Sequence, residues 1–91
     1  MNLQDALYNW LQIKIVAEAR PEDGAAAETE RFFADILKED HELAEFAVES
    51  SDDTMYYVHY VKDGKKKVQM FDREAAAQLL ADINSNPKYN E

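Results

Sequence analysis

Residues 54–71 read TMYYVHYVKDGKKKVQMF, two runs of strand composition on either side of a Lys62-Asp63-Gly64 turn. Such a stretch forms a β-hairpin, and the register of that hairpin decides which side chains share a face. Two turns compete for the Asp63-Gly64 pair. A two-residue loop would place Lys62 opposite Lys65 and His59 opposite Val68. A type I turn with Gly64 in the left-handed bulge position would place Val61 opposite Lys65 and Val58 opposite Val68. The second arrangement gathers Tyr56, Val58, Tyr60, Val68 and Met70 on one face and leaves Lys65, Lys67 and Gln69 on the other. It separates apolar from polar residues better, so the sequence reading adopts it. The outward face then carries Met55, Tyr57, His59, Val61 and Phe71 beside Lys65, Lys67 and Gln69.

Upstream of the hairpin, residues 44–50 place Phe46 and Val48 in alternation and reach it through the polar turn Ser51-Asp52-Asp53, which predicts a three-stranded antiparallel meander. Downstream, Asp72 is suited to cap a third helix whose stripe is Ala76, Leu79, Leu80 and Ile83, ending near Asn84. Two helices precede the strands. The first runs from Leu3 to about Arg20, with Leu3, Ala6, Leu7, Trp10, Leu11, Ile13 and Ala17 at helical spacing. Pro21 separates it from the second, which extends through Glu39 with a stripe of Ala25, Ala26, Thr29, Phe32, Phe33, Ile36 and Leu37. The expected order is α-α-β-β-β-α, an α+β fold in which helices cover one face of the meander, the face of Phe46, Val48, Tyr56, Val58, Tyr60, Val68 and Met70. Residues 1–84 form a single domain on this reading and 85–91, with Pro87, a frayed tail.

The first helix carries more apolar surface than a small domain readily covers on one side. Ile13, Ile15 and Val16 widen the stripe, so Trp10, Ile13 and Ile15 are expected to meet a partner helix, such as that of a second copy in a homodimer.

With 91 residues, 46% of them apolar and 32% charged, the chain has the size and composition of one folded domain. It has no Cys, which removes disulfides, thiolate metal ligands and thiol nucleophiles and suits a reducing compartment. The first residues lack a basic, apolar and small-residue secretory pattern, and no apolar run approaches the length of a membrane span. A cytoplasmic location away from the membrane is expected. Net charge is −9, and it is unevenly spread: residues 1–53 hold 14 acids and 4 bases, the remainder 5 and 6. Such a field favours basic partners and opposes nucleic acid and anionic lipid at long range.

No set of residues has the types and spacing of a catalytic or cofactor site. His41 and Glu45 are spaced i, i+4, with Asp40 and Glu42 nearby, but a metal site needs three or four convergent ligands and no third is placed. Ser50 and Ser51 lie in an acidic turn with no nucleophile-elbow pattern, and the two glycines, Gly24 and Gly64, build no phosphate-cradling loop. Neither catalysis nor a cofactor or metal is therefore expected. Lys65-Lys66-Lys67 beside Tyr57, Tyr60 and His59 offers stacking surfaces and cations for weak single-strand nucleic-acid binding, against the acidic field of the rest. The reading favoured is a non-catalytic protein–protein interaction module, homodimeric through the first helix or binding an unknown protein through Tyr57, His59, Lys65 and Lys67. The alternative is an acidic inhibitor or immunity-type protein that neutralises a basic partner.

Overall fold

In a computed structural model of the protein, described over residues 1–85, Asp63 and Gly64 both take left-handed backbone, with φ of 55° and 75°. Two successive left-handed residues make the two-residue type I′ turn, whose twist matches that of the flanking strands and for which Asp-Gly is a preferred pair. The hairpin consists of β2 (Met55–Lys62) and β3 (Lys65–Asp72). Lys62 opposes Lys65, His59 opposes Val68 and Val58 opposes Gln69. This overturns the bulged register expected from the sequence and moves every β3 side chain to the other face. Phe71 turns inward, opposite Tyr56, while Val68 and Met70 turn outward at 50% and 53% exposure. Turn geometry outweighed apolar sorting because β3 has apolar residues of both parities, so neither register could hide them all.

The pairing can be checked by substitution. Phe71→Ala should cost about 3–5 kcal/mol, and Met70→Thr no more than about 0.5 kcal/mol. Urea denaturation of both variants measures the difference, and the bulged register would reverse the ranking.

The expected element order is observed, with strand order β1-β2-β3 in one antiparallel sheet. Strand β1 (Glu45–Ser51) places Phe46 opposite Tyr60 and Val48 opposite Val58, and its register shifts between Val48 and Ser50. Glu49 is the extra residue of that bulge. Asp23 caps α2 (Gly24–Glu39) by accepting from the Ala26 N–H, and Asp72 accepts from the Ala75 N–H at the start of α3 (Arg73–Ser85). The predicted frayed tail falls outside the described residues apart from Ser85, which belongs to α3.

Helix α1 (Leu3–Ala19) is the centre of the molecule, and its breadth has an internal explanation. Ala6, Leu7, Trp10 and Leu11 pack into one core with Leu37 of α2, Val58 and Phe71 of the sheet and Ala76 of α3. A second cluster joins Ile13 and Val16 to Ala26 of α2 and to Leu79, Leu80 and Ile83 of α3. Three neighbours of the same chain thus surround α1. Trp10 is buried, with its ring edge-on to Phe46 at 5.1 Å; Ile13 is buried and Ile15 half-buried against the first core. Of the residues that suggested a dimer helix, Trp10 and Ile13 are covered by the chain itself, while Ile15 lines an open groove with Lys14, Glu18 and Val48. Phe32, expected in the apolar stripe of α2, is 59% exposed and contacts Phe33.

Candidate functional site

Because all three helices lie on one side of the sheet, its opposite face is left open. The pairings place four rows of side chains there: Glu45, Val61 and Lys66; Ala47, His59 and Val68; Ser50, Tyr57 and Met70; and Met55 with Asp72. The central-strand residues are half-buried by their neighbours, whereas Val68 and Met70 stand well into solvent. An open groove of about 300 Å³ crosses the three strands near the hairpin end, lined by Glu45, Ala47, Glu49, His59, Lys66 and Lys67 among others.

Alternation along β1 places Glu49, like Glu45 and Ala47, on the open side, where its Oε2 lies 3.9 Å from His59 Nδ1, a distance for an ion pair when the imidazole is protonated. Glu45 and Glu49 line the β1 flank, and Asp52 continues it at the next turn. Lys66, on β3, is the one cation in the four rows. The face therefore has apolar residues on its central strand and on β3, with Glu45 and Glu49 along β1 and Asp72 at the far end of β3.

Of the residues singled out from the sequence, Tyr57 and His59 lie on this face. Lys65 and Lys67 do not: they oppose Lys62 and Tyr60 and so belong to the other side of the sheet, exposed near the hairpin tip. Lys66 takes their place. The aromatic residues of the nucleic-acid reading are likewise divided, Tyr57 and His59 on one face and Tyr60 on the other. The residues that sequence reasoning missed here are Val68, Met70, Glu45 and Glu49. The Asp-Gly preference for a type I′ turn was the available signal for the first two; for Glu45 and Glu49 it was the alternation that places them opposite Phe46 and Val48 across the strand.

Tyr57 has a second role at the β1–β2 turn. Its hydroxyl donates to Asp52 Oδ2 at 2.7 Å, while Asp52 Oδ1 accepts from the N–H groups of Thr54 and Met55 at 2.8 and 2.7 Å. Arg73 braces the same turn by donating to the Asp52 carbonyl at 3.0 Å, with its guanidinium over the Tyr56 ring. The hydrogen bond from Tyr57, followed by those from the two backbone N–H groups, lowers the Asp52 carboxyl from 3.8 to about 2. The same bond raises the Tyr57 phenol above its ordinary 10.0. Since the folded state prefers ionised Asp52, the stabilisation from this carboxylate is present above pH 3.8 and is lost as pH falls toward about 2. The Tyr57 contribution has the opposite sense, present below pH 10.0 and lost as pH rises through the raised value. Asp52→Asn should lower the thermal midpoint at pH 7 and flatten its decline between pH 4 and about 2. Parallel melts of wild type and variant measure this, and identical acid limbs would remove Asp52 as the cause.

The His41–Glu45 pairing does not sit on a helix. Helix α2 ends at Glu39, Glu42 adopts φ of 55°, and Glu45 already belongs to β1. Among the described residues no group of three or more His, Asp or Glu side chains is placed to hold a metal ion. None of the described helices is long and apolar enough to cross a membrane.

Comparison with protein-family models, with curated proteins and with solved structures finds no match to this chain.

Proposed function

We propose that the protein is a non-catalytic interaction module that binds another protein through the open face of its sheet. The observation that carries this reading is the exposure of Val68 and Met70 on the edge strand β3, beside Met55, Tyr57 and Val61 of the central strand on the same face. Contiguous exposed apolar surface on a small domain marks a contact region, and Tyr and Met are residue types favoured in such regions. Tyr57 contributes its ring, since its hydroxyl is held by Asp52.

The test uses a photoactivatable residue in place of Met70, with a control at the exposed Asp82 on α3. Irradiation in cells that express the chain should give a discrete cross-linked protein from position 70 and not from position 82. The same products from both positions, or none from position 70, would sink the reading.

A further inference from the structure

We infer that the occupant of the open sheet face is a single basic amphipathic helix presented by the partner. This rests on the interaction reading above and specifies the chemistry of what binds.

Size is the first argument. Strands of 7 or 8 residues span about 23–26 Å, and the three make a face about 14 Å wide. That footprint is well matched to one helix, about 10 Å across and about 17 residues long over the longer distance. A second copy of the chain is disfavoured by charge, because each copy carries net −9.

Charge supplies the second argument. Glu45 and Glu49 lie on β1, across the central strand from Val68 and Met70 on β3, and are separated by four residues of strand, or about 13 Å. Along a helix that spacing corresponds to about 2.5 turns, so Lys or Arg residues on one flank of the helix can meet both carboxylates. The apolar stripe of the same helix would rest on Val61, Val68 and Met70. With Glu45 and Glu49 on the β1 side, and on the β3 side Lys66 near the hairpin end and Asp72 at the far end, a helix with basic residues on its β1 flank and an acid opposite Lys66 is oriented as well as held. The arrangement would complete a layer of helix on the uncovered side of the sheet, as sheets in larger domains are covered on both faces.

The test uses two synthetic peptides of about 18 residues made of Leu and Lys in equal composition, a length set by the face. One has Leu at i, i+3, i+4 and i+7, and the other has the same residues scattered without helical period. Chemical-shift mapping on the wild-type protein should place the amphipathic peptide on Val61, Val68 and Met70, with affinity at least about 10-fold above that of the scattered peptide. Met70→Asp, at an exposed position, should weaken binding about 10-fold or more. Glu45→Lys with Glu49→Lys should weaken it about 5-fold at low salt and reduce its salt dependence. Equal affinity for the two peptides, shifts confined to acidic residues of α2, or no saturable binding at about 1 mM would overturn the inference. Cross-linking from position 70 separates the two levels: a cross-linked protein together with failed peptide binding rejects the helix and keeps the interaction surface. Failure of both rejects the surface itself.

Discussion

Val58→Asp is expected to leave the chain unfolded at 25 °C. Val58 is fully buried at the middle of the central strand, opposite Val48 on one side and Gln69 on the other, and it belongs to the core built around α1. The substitution removes about 1.5–3 kcal/mol of apolar burial and places a carboxylate in an apolar core. The combined penalty exceeds about 4 kcal/mol, against a total stability of about 5–15 kcal/mol, and the low end applies to a chain this short. His59→Asp, one residue along and on the open face, should remain folded. Far-UV circular dichroism and amide dispersion of the two variants provide the measurement. A folded Val58→Asp, or an unfolded His59→Asp, would contradict the assignment of faces along β2.

Trp10→Ala should cost about 3–5 kcal/mol, and the loss should be independent of protein concentration. Trp10 is 4% exposed, meets Phe46 edge-to-face and has the Lys14 ammonium 5.6 Å from its ring centroid. All of these contacts lie within one chain. If Trp10 instead stabilised a dimer, the wild-type denaturation midpoint would rise with concentration and the variant would fold as a monomer. Urea titrations of both proteins across a hundredfold range of concentration, a span of about 2.7 kcal/mol in mass action, discriminate between a core role and a dimer contact.

The contrast between Trp10 and Met70 shows where pattern reading succeeds and where it stops. Helical spacing identified the apolar face of α1 correctly, since Trp10, Leu7 and Leu11 are buried. It could not say how many neighbours that face would have, because breadth is a property of one helix and coverage a property of the assembly. In the hairpin, composition located both strands and the turn but misassigned Val68 and Met70 to the core side. The residues that carry the candidate site are thus the ones whose face depended on a single turn conformation. Helix caps were more readable. Asp72 was recognised because a short acceptor side chain before a helical stripe acts on N–H groups three residues away.

Element order, element type and acidic character were written in the linear sequence, because helical period, strand alternation and turn composition act over a few residues and charge is additive. Register and coverage required the folded molecule. Left-handed backbone at both Asp63 and Gly64 shifts β3 by one residue and so exposes Val68 and Met70. Packing α1 between the sheet, α2 and α3 hides Trp10 and Ile13. Each is a choice between locally similar alternatives, and the contacts that decide it come from segments distant in the chain.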